Sequence, residues 1–445
     1  MDNNNINQHK KKYNNYLNNN KTNITEIKNN SKIKTKTYQN GKYIGQFINN
    51  KKEGKGIYYY NNGDRYEGDY KKGKKEGKGI YYYKEGERYE GHYKEGNKEG
   101  KGIYYYNDGE RYEGDWKNDI KEGNGIFYFK NGDRFEGKWI NGKIEGKGIY
   151  FYKNGEFYEG NYTSNNIIGP IRYYYSNGDI YEGYMKNGVR ERKGKMFYKN
   201  WNIYTGNFKD NKKEGKGKFY HKNGQRYIGR FKNDAKDGKG IIYFKNGDFY
   251  EGDFKNDKYN GKGVYQFNSG NKYEGNFADD EYNGKGIFFY NNGEKYEGDW
   301  IDNKKEGKGI YYFNNGDRYE GDWKDDMMEG KGNFYYNCGE RYEGDFRNNV
   351  KEGKGIYYYN NNDKYEGEWL NAVKEGKGII FYGKGGKYEG VWKDGVRTGS
   401  GILYTENNTK YEAEWENNKV KLNLISRHSE ESDNIWVFKT FISFF

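Results

Sequence analysis

The chain has 445 residues, of which 32% are hydrophobic, 20% aromatic and 33% charged, with 54 Tyr, 67 Gly, five Leu and a single Pro. Tyrosine carries a hydroxyl that seeks water or a partner wherever it sits, so this palette excludes the thick aliphatic cores of the two or three ordinary domains that the length alone would suggest. The formal charge of +13 is concentrated at one end: residues 1–42 hold nine Lys and two acidic residues, and the rest is a nearly balanced mixture of Lys, Glu and Asp, which argues against a nucleic-acid partner.

Residues 1–37 are Asn/Lys-rich and poor in apolar side chains, the composition of a disordered tail. Their opening, MDNNNINQHKKKYNNYLNNN, lacks the apolar stretch of a signal peptide, and no run of about 18 apolar residues predicts a membrane span. The lone Cys338 excludes an intrachain disulfide and points to a reducing compartment. These features predict a cytoplasmic protein.

From residue 38 the chain repeats itself. Tyr43, Tyr66, Tyr89, Tyr112, Phe135 and twelve further aromatic anchors, ending at Tyr411, fall at a strict 23-residue step. A fixed period of this size marks a linear array in which each unit leans on its neighbours. Within a unit, Arg65 to Tyr70 alternates, with Tyr66, Gly68 and Tyr70 on one face and Arg65, Glu67 and Asp69 on the other. Gly79 to Tyr83 is a second, aromatic β-favouring run, with Ile80 and Tyr82 sharing a face.

Asn62-Gly63 suits a two-residue hairpin turn, and Lys71 to Lys75 a basic loop, so each unit reads as strand, Lys-rich loop, strand, tight turn. The position four after each anchor is aromatic in every unit except at Met185, which predicts a buried column. Gly68, between anchor and column, leaves room for a ring from the adjoining strand or marks a bulge. The expected fold is all-β: an elongated, single-layer antiparallel sheet of stacked hairpins, roughly 33 strands spaced about 4.8 Å apart.

The array is expected over 38–164 and 204–415. Between them, 165–203 departs from the pattern: Pro170, Arg192 and Trp201 stand where other units carry Lys, Gly and Gly, and predict a kink or hinge. Residues 416–445 form a tail whose Trp436, Phe438, Phe441 and Phe444 are candidates for an end cap or dimer contact.

Catalytic chemistry fails at the first step. His9, His92, His221 and His428 have no metal-ligand spacing, and one Cys cannot make a zinc site. Gly77-Lys78-Gly79 is followed by Ile80, so it lacks the Ser/Thr of a phosphate loop. Glu67 and Asp69 recur unit after unit, whereas a catalytic pair is needed once. No enzyme, metal or cofactor is predicted. Lys71, Lys72, Lys74 and Lys75, with their equivalents, form the one candidate anion site, suited to an anionic membrane surface at about 1 kcal/mol per Lys.

The order Tyr-Glu-Gly-Asp-Trp, a short basic segment, Gly-Lys-Gly, an aromatic run and Asn-Gly-Asp resembles the MORN (membrane occupation and recognition nexus) repeat over residues 38–415. The resemblance implies stacked β-hairpins and a non-catalytic scaffold that links protein partners at membrane and cytoskeletal junctions. It also implies homodimerisation and, as the alternative reading, phosphoinositide binding. Where the family commonly has His before Gly-x-Gly, this chain usually has Glu, as at Glu53, Glu76, Glu99 and Glu122, which weakens the lipid reading.

Overall fold

The computed structural model describes residues 33–421 and the backbone of 426–428. The N-terminal tail and the candidate cap residues Trp436, Phe438, Phe441 and Phe444 lie outside the described residues. The chain divides into two compact units at Asn211/Lys212. In each unit the described residues form a single layer of antiparallel hairpins with no helix, as the alternation of small, aromatic and charged residues predicts.

One repeat serves for all. An anchor strand, Arg65–Lys71, pairs antiparallel with a return strand, Lys74–Tyr82, which pairs in turn with the next anchor strand, Arg88–Lys94. The turn chemistry is the reverse of the expectation. The two-residue turn lies within the lysine segment, at Lys72-Gly73 with φ of 49° and 91°, both positive as a tight hairpin of this hand requires. The Asn-Gly-Asp segment closes a longer loop, Asn61 to Asp64, in which Tyr60 N–H donates to Asp64 O and Gly63 N–H to Tyr60 O. There the Asp64 N–H bonds back to Asn62 Oδ1 (3.0 Å), the local side-chain turn that Asn favours. Lys74 and Lys75 are therefore strand residues, and only Lys72 and Gly73 are loop.

The anchors supply the packing. The Tyr66 ring folds back along its own strand and lies over Gly68 and Gly79, where a Cβ on Gly79 would stand 2.2 Å from the Tyr66 hydroxyl oxygen. The ring that fills the glycine slot thus comes from the same strand rather than the adjoining one. A bulge is present as well: the register shifts between Gly68 and Tyr70, with Gly77 opposite at φ 64°. Tyr66 meets Tyr70 edge to face at 5.3 Å and Tyr93 of the next unit at 5.1 Å. This contact repeats down the array, a geometry that adds about 0.5–1.5 kcal/mol per pair beyond burial. Tyr81 joins this face and touches Tyr60 and Tyr83. Ile80 and Tyr82 do share a face, but it is the opposite one, across the ladder from Glu67 and Arg65, so they do not join the ring packing.

Side-chain clips of three kinds tie neighbouring units together, the third only where the second turn residue is Asp or Asn. Glu53 Oε2 accepts the Lys72 N–H (2.8 Å), Asp64 Oδ1 accepts the Lys84 N–H (2.8 Å), and Asp119 Oδ1 accepts the Lys98 N–H (2.9 Å). Each caps a backbone donor at the end of a strand that the ladder cannot reach.

Candidate functional site

The two faces of each sheet differ in bulk. One carries the anchor, column and return-strand rings. The other carries glycine backbone, one Ile, one Glu and one Lys per repeat, and the smaller groups leave a groove. In the first unit this groove has a volume of about 1840 Å³, with a floor of Ile57, Ile80, Ile103, Ile126 and Ile149. The second unit has a groove of about 1770 Å³ with Ile287, Ile310, Ile356 and Ile379 on its floor.

Charge lines both walls. Glu67 and Glu136 are held by Arg65 (3.0 Å) and Arg134 (2.7 Å), and the same arginines stack on Tyr82 (4.3 Å) and Phe151 (3.9 Å). Lys55 and Lys101 pair with Asp69 and Asp115 at 2.7 Å. Lys78 stands opposite His92, and Lys147 opposite Asn161, so these two ammonium groups have no acid across the ladder. The groove can therefore hold an apolar ridge flanked by charges, and in the first unit Lys78 and Lys147 offer cations to an acidic segment. Among the described residues no cluster of His, Cys, Asp and Glu could hold a metal ion.

The lysines singled out by the sequence separate. Lys71 and Lys72 are exposed at the hairpin tip, and Lys74 is paired with Glu95 at 2.5 Å. Lys75 lies on the aromatic face, its ammonium 4.8–5.6 Å from the centres of the Tyr66, Tyr81 and Tyr93 rings. It belongs to a column that period reasoning passed over. Lys98 sits among Tyr83, Tyr89, Tyr104 and Trp116, and Lys351 among Tyr336, Tyr342, Tyr357 and Trp369, all within 5.5 Å. Burial pushes Lys98, Lys351 and Lys374 down to about 8, since desolvation disfavours the charged amine. The signal was in the alignment: this position tolerates Ile144, Tyr259, Tyr282 and Met328, a set that only a buried site accepts. Tyr259 and Tyr282 stack on the anchors Tyr250 and Tyr273 at 3.9 and 3.8 Å, doing as rings what the lysine stems do elsewhere.

The glutamates that replace the family's usual His are also accounted for. They are clips: Glu76, Glu99, Glu122 and Glu306 accept the N–H groups of Glu95, Asn118, Asn141 and Asp325.

Pro170, Arg192 and Trp201 all lie in the first unit. Pro170 is exposed, Arg192 takes φ 61° where other repeats have glycine, and Trp201 takes φ 69° at a turn glycine position and is 74% exposed.

The profile of the MORN repeat family matches fifteen consecutive or near-consecutive segments, from 43–65 to 135–157 and from 181–203 to 388–410. The chain belongs to the MORN repeat family. The one full MORN period that the profile passes over, 158–180, holds Pro170. No curated protein matches the chain. Among solved structures, it is similar to the TCP10 domain of Danio rerio CPAP, with 12% identity over 49% of this chain and 93% of that one, and a TM-score of 0.22. The TCP10c domain of Drosophila melanogaster Sas-4 matches with 19% identity over 40% and 93%, and a TM-score of 0.20. A virginiamycin B lyase from Staphylococcus aureus matches with 12% identity over 64% and 92%, and a TM-score of 0.11. At these scores the likenesses carry no argument about function.

Proposed function

We propose that this MORN protein is a non-catalytic scaffold that holds protein partners along its grooved face, at a membrane or cytoskeletal junction. The observation that carries the reading is repetition. The same Ile, Glu and Lys lattice recurs from Ile57 to Ile149 in the first unit, so the surface is a continuous track rather than a single reaction centre. A catalytic site concentrates perturbed groups at one point, whereas here the most perturbed groups are structural tyrosines and lysines distributed over every repeat.

The phosphoinositide reading has less support. Of Lys71, Lys72, Lys74 and Lys75, one is ion-paired and one is enclosed by rings, leaving two per hairpin tip for an anionic surface.

The test uses the intact chain recovered from its own cells beside a K78E/K147E variant, which reverses two cations of the first unit's groove that face no acid, without touching the ring-packed face. Proteins that co-purify stoichiometrically with the wild type and are lost from the variant are the expected result. An unchanged set of proteins, together with salt-sensitive pelleting on phosphoinositide vesicles, would move the function to the membrane reading.

A further inference from the structure

In the first unit, one repeat junction is open. The return strand Asn166–Tyr174 pairs with the anchor strand Ile180–Lys186 only from Ile171↔Gly183 to Tyr174↔Ile180. Corresponding junctions run two pairs further, as from Gly146↔Tyr162 to Phe151↔Phe157 and from Arg192↔Phe208 to Phe197↔Ile203. The clips fail at the same place. Elsewhere the second turn residue donates to the strand before it, as Gly142 N–H does to Lys121 O (2.9 Å) and Asn165 N–H to Ile144 O (3.1 Å). The equivalent donor, Gly188 N–H, makes no such bond to Ile167 O. Ile168 stands at the position from which a glutamate caps the equivalent of Asn187 N–H in other repeats.

The sequence explains each loss. Pro170 has no N–H to give to a ladder, and Ile168 has no carboxylate. Ile167 turns inward on the neighbouring strand, and Ile171 replaces a socket glycine: a Cβ on Gly160 would stand 2.8 Å from Ile167 Cδ1 and 3.1 Å from Ile171 Cγ2, so these two side chains take the slot that an anchor ring fills elsewhere. Tyr158 is displaced from it and stacks between Tyr150 (5.4 Å, 11°) and Tyr173 (6.1 Å, 14°). The edge-to-face series of rings that reaches Tyr162 stops there, because Met185 stands in the column.

An opened junction leaves two strand edges with free donors and acceptors, the condition under which sheets recruit another strand. The edges are apolar as well. Asn166 to Pro170 are all exposed, with Ile167 at 38% and Ile168 at 49%, and Tyr184 across the opening is 39% exposed. The flanking charge has one sign: Lys186, Arg192 and Lys193 are exposed and join no ion pair among the described residues, while Glu182 is held by Arg172 (3.4 Å) and Glu191 caps Asp210 N–H (3.2 Å).

We propose that the opening between strands Asn166–Tyr174 and Ile180–Lys186 receives one extended segment of a partner protein, with alternating apolar and acidic side chains. The backbone of that segment bonds to the free edges at Ile167 to Pro170 and Met185 to Gly188. Its apolar side chains cover Ile168 and Tyr184, and its carboxylates meet Lys186, Arg192 and Lys193. The inference deepens the scaffold reading and rests on it for the partner being a protein, but its site is separate from the groove cations.

The experiment takes the purified full chain and a fluorescein-labelled peptide, Glu-Ile-Glu-Tyr-Glu-Ile-Glu, read by anisotropy. Two controls are the same peptide N-methylated at alternate residues, and its Lys-for-Glu counterpart. The protein variant is I168E/P170K, which restores the clip to Asn187 N–H and the missing donor. Expected results are saturable binding of the acidic peptide and at least a tenfold loss with either control peptide or with the variant. Amide exchange should slow at Asn187 and Gly188 when the acidic peptide is bound. Because the variant moves toward the repeat consensus and regains a clip and a donor, thermal unfolding at or above the wild-type temperature serves as the check that it folds and closes.

Absence of binding, or binding indifferent to N-methylation, would overturn the proposal. So would a wild type that sediments as a dimer and a variant that sediments as a monomer, because the opening would then belong to a second copy. Each of these outcomes leaves the groove reading standing, since K78E/K147E tests that separately.

Discussion

At the residue scale, the molecule depends on glycines that act as sockets. Fifteen anchors are fully buried, and the two that are not explain the rule. Tyr158 is displaced where Ile171 replaces the second socket glycine and Ile167 enters the slot beside it, and Tyr411 is half-buried where Ala413 replaces the socket glycine. Gly79→Ala would place a Cβ 2.2–2.5 Å from three atoms of the Tyr66 ring, with no room for the ring to shift beneath Tyr93. A loss of about 2–3 kcal/mol is expected, since overpacking forces both ring and backbone to move. Gly86→Ala makes the control: φ is 98° but its Cβ meets nothing, so the cost is the backbone term alone, about 1 kcal/mol. Amide exchange across residues 66–93 measures both, and equal effects would show that the socket is not what holds the ring.

At the scale of the element, hairpins are joined by capped strand ends as well as by rings. Glu99→Ala removes the acceptor for Asn118 N–H at an exposed turn. The expected effect is about 1 kcal/mol of local stability, seen as faster exchange at Asn118 with the ladder on either side unchanged. Fraying of the whole Asn97–Tyr105 strand would assign the glutamate a larger part. The turn exchange belongs to this scale too. Asn-Gly drew attention as the strongest short hairpin signal, yet the two-residue turn fell to Lys72-Gly73. In sister units this turn reads Asn118-Asp119 or Asp325-Asp326, residues that tolerate positive φ but are weaker signals than Asn-Gly.

At the scale of the whole molecule, the buried tyrosines set the response to alkali. Desolvation raises Tyr66, Tyr112, Tyr250 and Tyr296 well above their ordinary value near 10, and Tyr60, Tyr83 and Tyr106 up to about 12. In the unfolded chain these hydroxyls ionise near pH 10, whereas in the folded chain they keep their protons. Their contribution is therefore fully present below pH 10 and is lost as the pH rises beyond it, by about 1.4 kcal/mol per tyrosine per pH unit. The lowered amines of Lys98, Lys351 and Lys374 act in the opposite sense between about pH 8 and 10.5, but they are far fewer. Strand circular dichroism and tyrosinate absorbance should change together in one transition within about 1.5 units above pH 10. Gradual ionisation with the strand signal intact would contradict the burial of the anchors.

The 23-residue period, the buried aromatic columns and the single-layer all-β fold were determined by the sequence alone, because a strict spacing of large and small residues at alternate positions admits one pairing of faces. Only the tertiary structure decided which strand supplies the ring in the glycine socket, and which lysines remain free. Those outcomes depend on a ring folding back over its own strand and on an ammonium reaching rings from three strands, contacts that one-dimensional alternation does not encode. The same holds for the residues around Pro170. The substitutions were visible, but it took the register of Asn166–Tyr174 against its two neighbours to show that the first of these ladders is kept and the second opens. Ile167 can fill the socket of Gly160 only while that strand is held, and nothing in the next strand replaces the bonds that Pro170 and Ile168 fail to make.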